Sequence, residues 1–192
     1  MAPAGTPPGW SVNPSSWRQR LPIVGLALAG TAIALYLALY QWGVLGWVWE
    51  PFFGDGSARI LDSWVSKVLP IPDAALGAAG YLLDAATGAI GGHARWKTMP
   101  WVVILFGVAV GPLGAVSVLL VVLQPVLFEA WCTLCLASAV VSIAMIGPAL
   151  DEVLASLQHL ARVRRAGGDV WRAFWGRPAR ADRQPPVPGR VG

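Results

Sequence analysis

Charge is scarce in this sequence. Asp, Glu, Lys and Arg make up 12% of its 192 residues, while 56% are hydrophobic. A chain so poor in charge cannot surround its apolar content with a water-soluble surface, so it is read as one that uses lipid as part of its solvent. Cysteine is scarcer still, with two in all. Two thiols close one bridge at most, which excludes a disulfide framework as the source of the fold. Sequence repeats are absent, and so is any nucleic-acid-binding motif. The net charge of +4 therefore does not mark a nucleic-acid partner. Eight of the fourteen Lys and Arg fall between Arg162 and Arg190, and that run reads as a cytoplasmic segment drawn to membrane lipid. Tryptophan, by contrast, is plentiful: eleven residues, of a type that favours the water–lipid boundary.

The order of segments predicts an all-α, integral membrane four-helix bundle with an extracytoplasmic loop bearing a short surface helix. Residues 1–20 read as a disordered cytoplasmic leader rich in Pro, Gly and Ser. Leu21 to Gln41 carries no charge and is long enough to cross a hydrocarbon layer of about 30 Å. Ala27-Leu28-Ala29 resembles a signal-peptide cleavage site, but the apolar run continues past it, so an uncleaved helix is expected. In the loop 42–70, "ILDSWVSKVL" has apolar residues at helical spacing and predicts a short helix on the membrane surface. "IPDAALGAAGYLLDAATGAIGG", 71–92, is the second span, opened by Pro72 and ended by Gly91-Gly92. Pro100 to Gln124 is the third, with Gly107, Gly111 and Gly114 spaced for close helix packing. Trp131 to Leu150 is the fourth. Residues 21–150 thus form one membrane domain, 151–166 an amphipathic cytoplasmic helix, and 167–192 a disordered basic tail.

Lys and Arg orient the chain. Two lie in the leader, two between spans two and three, and eight in the tail. The long first loop has two, and the short loop before span four has none. Positive residues stay inside. Both termini are therefore expected in the cytoplasm, with the loop 42–70 and "PVLFEAWC" on the extracytoplasmic side, where disulfide chemistry takes place.

Both cysteines stand in "EAWCTLCLASA", 129–139. At i and i+3, Cys132 and Cys135 share one face of a helix, in its first turn. Unpaired N–H groups and the helix dipole favour an anion there, and a thiolate is an anion. Such a pair is biased toward nucleophilic attack and a small disulfide ring. Cys132 is expected nearer water, facing thiols from solution. Cys135 is expected a turn deeper, facing a lipid-soluble acceptor. The plain alternative is two small buried hydrophobes. A c-type haem motif requires His after the second Cys, and residue 136 is Leu. Zinc would need two further ligands, and both His93 and His159 are expected on the other side of the membrane.

The order of these features, with "YLALYQ" closing the first span, "IPDAALGAAGY" after a long loop and "WCTLCLASA" opening the last span, resembles the bacterial vitamin K epoxide reductase family over roughly Leu21 to Ala149. The resemblance implies a four-helix membrane bundle enclosing a quinone of the menaquinone or ubiquinone type near the C-x-x-C. It implies electron flow from extracytoplasmic thioredoxin-like proteins or substrate thiols, through loop cysteines, to the C-x-x-C and on to quinone. It makes Cys135 the quinone-side cysteine and Cys132 its exchange partner, and places Asp73 near the quinone oxygen. It also implies the cytoplasmic membrane of a bacterium. This chain departs from the family at the loop, where no cysteine occurs and Ser57 stands where one is expected. A serine hydroxyl forms no exchangeable bond with sulfur.

Other candidates carry two readings each. Asp73 is a helix-start acid or a quinone contact. Asp84, inside a span, is a structural or interfacial group or part of a proton path. Trp42, Trp47, Trp49, Trp64 and Trp131 are boundary anchors, with Trp131 a candidate wall of a quinone pocket. Tyr81 reads as packing. For the whole chain the two readings are a thiol–quinone oxidoreductase with a single redox pair and a non-catalytic membrane scaffold or accessory subunit.

Overall fold

The structure, a computed structural model, describes residues 5–67 and 70–178. All regular structure among them is helical: α1 (Trp17–Gln41), α2 (Gly56–Leu61), α3 (Asp73–Ala89), α4 (Arg95–Thr98), α5 (Pro100–Phe128), α6 (Thr133–Arg165) and α7 (Val170–Phe174), with one 3₁₀ turn at Val65–Lys67. Helices α1, α5 and α6 are each long and apolar enough to cross a membrane. Helix α3, at 17 residues, rises about 25 Å.

Small residues set the packing. The buried face of α1 runs Ile23, Ala27, Gly30, Ala34 and Leu37, alternating steps of four and three. The facing stripe of α3 is Ala78, Tyr81, Ala85 and Gly88. Between lipid-facing helices burial supplies little drive, so association rests on close van der Waals contact and hydrogen bonds. Gly30 makes the contact possible: a Cβ there would stand 2.7 Å from the Tyr81 ring. Tyr81 thereby reaches across to α6. Its hydroxyl donates to the Ser138 carbonyl at 2.7 Å and lies 2.5 Å from Ser142 Oγ. Ser142 Oγ is in turn 3.1 Å from Ser117 Oγ of α5. Helix α1 packs along α3 and against α6, while α5 packs along α6 and against α3. Ile23, Ala27, Ala34, Phe106, Val110, Met145 and Ala149 fill the space they share.

A buried polar cluster closes the end where α3 stops. Arg20 donates to the carbonyls of Gly88, Ile90 and Gly91 at 2.6–2.9 Å. Arg95 donates to those of Thr87, Gly88 and Ile90 and is paired with Glu152, which also accepts from Ser15 Oγ at 2.5 Å. The last carbonyls of a helix have no partner within it, and two guanidinium groups here satisfy those of α3.

Several expected boundaries shift. Helix α1 starts at Trp17, before Leu21, and Asn13, Ser15 and Arg20 of the expected disordered leader are buried. The fourth span and the amphipathic helix 151–166 are one unbroken helix, α6, which accommodates Pro148 and runs on through Leu150. The short helix of the first loop lies at Gly56–Leu61, earlier than "ILDSWVSKVL" suggested, and residues 68–69 of that stretch lie outside the described residues. Val170–Phe174, inside the expected tail, is helical, with the Asp169 carboxylate capping it, and residues 179–192 lie outside the description. The close helix contact in α5 is made by Gly107, against Val153, and Gly114, against Ile146; Gly111 faces open space.

Candidate functional site

The opposite end gathers the C-termini of α1 and α5, the N-termini of α3 and α6, and the loop with α2. Helix α5 ends at Glu129, in the left-handed region at φ 49°, and the chain turns within a few residues into α6. Cys132 is the N-cap of α6, with extended φ/ψ of −119° and 114°. Its Sγ accepts the Cys135 N–H at 3.2 Å, as an N-cap oxygen would in a Ser or Asp. Its own N–H donates to Gln124 Oε1 at 3.1 Å, so a buried amide of α5 fixes the turn. The Cα atoms of Cys132 and Cys135 are 5.2 Å apart and their sulfurs stand side by side, within the range a disulfide spans. The helix-start placement expected of the pair is thus the one observed.

Within the protein, Cys132 is 0% exposed and Cys135 is half-buried. The cause is the loop. Ile60 of α2 packs with Ala130 on Cys132, and Phe128 and Leu134 flank the cluster. The Gly56 backbone lies directly on the Trp131 carbonyl, where a Cβ would collide. Arg59 donates to the Phe128 carbonyl at 3.1 Å.

Glu50 ties this loop to the cysteine segment. Its Oε2 accepts the Thr133 N–H at 2.8 Å and the Ser57 hydroxyl at 2.5 Å. Its Oε1 accepts the Thr133 hydroxyl and the N–H groups of Phe52 and Phe53, at 3.2 and 3.3 Å for those two amides. Burial pushes this carboxyl up, but the bonds from Ser57, Thr133 and Phe52 together outweigh burial and hold it at about 2, so it stays ionised at neutral pH. Ser57, standing where the family resemblance expects a cysteine, is fully buried and spends its hydroxyl on Glu50.

The other predicted residues are placed as follows. Asp73 opens α3, where its Oδ1 accepts Gln41 Nε2 at 2.6 Å and the Ala74 N–H at 2.9 Å, the helix-start role. Trp131 is 37% exposed beside Phe53, ring centroids 6.4 Å apart. Trp42, Trp47, Trp49 and Trp64 are all exposed. Asp84 is 1% exposed, and neither carboxylate oxygen has a hydrogen-bond partner among the described residues. Tyr81 does more than pack, since its hydroxyl bonds α6. Sequence reasoning missed Glu50, Gln124 and Thr133. An acid in a polar loop, an amide at a span end and a threonine between two cysteines carry no pattern that sets them apart.

No curated protein and no solved structure matches the chain. A family model, described as the vitamin K epoxide reductase family, matches residues 21–150, a stretch that holds α3, α5, the outer loop and the cysteine pair. With that match over two thirds of its length, on three membrane-length helices, the chain is a membrane protein and belongs to the vitamin K epoxide reductase family.

Proposed function

We propose that this chain is a membrane thiol–quinone oxidoreductase working with one cysteine pair. The observation that carries this reading is the juxtaposition of Cys132 and Cys135 at the start of a membrane-length helix, in a chain of a quinone-linked family. In the proposed arrangement α3 joins α1, α5 and α6 as a fourth span. Both termini lie in the cytoplasm of a bacterium, and the loop 42–70 with the cysteine pair faces outward, as the distribution of Lys and Arg supports.

The residues at that end suit a quinone of the menaquinone or ubiquinone type. Cys135 is half-buried, and Trp131 with Phe53 offers an apolar surface in the same segment. The Gln41–Asp73 pair supplies both polarities: an amide N–H can donate to a carbonyl, and a carboxylate oxygen can accept from a hydroxyl. When bound, quinone would supply a lipid-soluble two-electron acceptor.

The protein's own steps are thiol–disulfide exchange. A thiolate of an extracytoplasmic thioredoxin-like protein or substrate attacks Cys132 Sγ, the Cys132–Cys135 bond breaks, and Cys135 leaves as thiolate. The donor's second thiol then attacks the mixed disulfide. The donor leaves oxidised and Cys132 is released. Two electrons and two protons now sit on the pair. A quinone held on the Cys135 side would accept them, and the pair would return to its disulfide. Once Cys132 is released as a thiolate, the Cys135 N–H stabilises the negative charge on its Sγ.

Trapping tests the reading. Cys135→Ser should hold donors on Cys132 as mixed disulfides in cells, and Cys132→Ser should hold none. If neither variant alters the redox state of any extracytoplasmic thiol protein, the proposal is wrong. The second reading, a membrane scaffold or accessory subunit, is favoured by one observation: Ser57 is locked to Glu50 and cannot relay electrons. A cysteine pair that stays reduced during respiration, and is dispensable when replaced, would favour the scaffold.

A further inference from the structure

We propose that Glu50 is a positioning residue of the redox site: its carboxylate latches the outer loop across Cys132, so that this cysteine meets thiols only when the latch is released. The inference deepens the proposed function and rests on its assignment of Cys132 as the exchange cysteine. Three observations carry it. First, one carboxylate joins three separate pieces of chain: the loop start at Phe52 and Phe53, the buried Ser57 of α2, and Thr133 of α6. Thr133 sits between the two cysteines, so the latch is fastened to the redox segment itself. Second, the pair is covered unequally, with Cys132 fully buried beneath Ile60 and Ala130 while Cys135, at the edge of the same cluster, is half-buried. Third, the seal depends on contact without a side chain, Gly56 lying against the Trp131 carbonyl.

The chemistry follows. A donor thiolate must approach the sulfur it attacks, and a fully buried sulfur offers no path. The loop carries no thiol of its own, so it cannot deliver electrons to Cys132 from where it lies. It must move aside for an external donor, and of the bonds that hold it five converge on Glu50, beside the one from Arg59 to the Phe128 carbonyl. Charge-assisted hydrogen bonds of this kind are the strong ones in the loop, which makes the carboxylate the point at which release is decided.

Full-length protein in lipid nanodiscs gives the test, with labelling by N-ethylmaleimide after reduction and each cysteine followed alone in the Cys135→Ser or Cys132→Ser background. Glu50→Ala should raise the labelling rate of Cys132 by about tenfold or more, the scale set by loss of one charge-assisted hydrogen bond. The rate of Cys135 should stay within about twofold, since it is not under the latch. Gly56→Ala, which lifts the loop without touching the carboxylate, should give the same asymmetry. An unchanged Cys132 rate in both variants would overturn the latch. So would equal rises at both cysteines, which would mean general loosening of the fold. Because labelling reads access rather than turnover, the latch and the quinone reaction can fail independently.

Discussion

Two carboxylates at opposite ends of the molecule show what single residues do here. Glu152 is buried with Arg95, and the pair caps the carbonyls at the end of α3. Removing one partner strands a buried charge. Glu152→Gln should therefore cost about 3–5 kcal/mol, read as a fall in thermal midpoint in detergent. Glu50 titrates differently from a free acid. Its folded value is about 2 and its ordinary value 4.5, so the stability its loop contacts contribute is fully present above 4.5 and declines as pH falls from there through 2. Hydrogen exchange in the peptides around residues 50–57 and 131–135, corrected for intrinsic rate, should show constant protection above about pH 5 and declining protection below it. The cysteine pair could be read directly from the sequence, because its spacing and helix-start position are local features. Glu50 could not, since its partners lie seven and eighty-three residues away. Arg20 and Arg95 served in the sequence only as orienting charges. Their burial against α3 depends on tertiary contacts that no charge count contains.

Helices were easier to find than to bound. Long apolar runs announced α1, α5 and α6, and proline and glycine framed α3. The ends moved because the flanking segments pack. Helix α6 runs 33 residues, about 50 Å, some 20 Å more than a 30 Å hydrocarbon layer, with Glu152 about 28 Å from its start. The glycines of α5 show why spacing alone misleads. Gly107 and Gly111 match a familiar packing motif, yet the contact to α6 uses Gly107 and Gly114, two turns apart. Gly114→Ala would bring a Cβ to 2.8 Å from the Ile146 side chain and should cost about 1–3 kcal/mol. Gly111→Ala meets nothing and should be neutral or slightly stabilising, through helix propensity. Thermal unfolding of both variants separates the observed face from the motif. Equal losses would mean that α5 presents a different side to α6.

Taken whole, the molecule has a buried polar end and a sulfur end joined by helices that pack through small residues and a shared apolar core. Fold class and membrane residence were legible because composition alone separates lipid-facing from water-soluble chains. The covering of Cys132 was not, because it is made by Ile60 together with hydrogen bonds from Glu50 to residues far along the chain. The central claim is that two adjacent sulfurs move electrons between water-side thiols and a lipid-soluble acceptor. Quinone reduction by purified full-length protein in lipid vesicles, supplied with a dithiol and followed by absorbance, measures it most directly. The account predicts quinol formed mole for mole with oxidised donor, and no quinol from Cys132→Ser or Cys135→Ser. Quinol formation no faster than in protein-free vesicles, or equal rates from the wild-type chain and both serine variants, would contradict it.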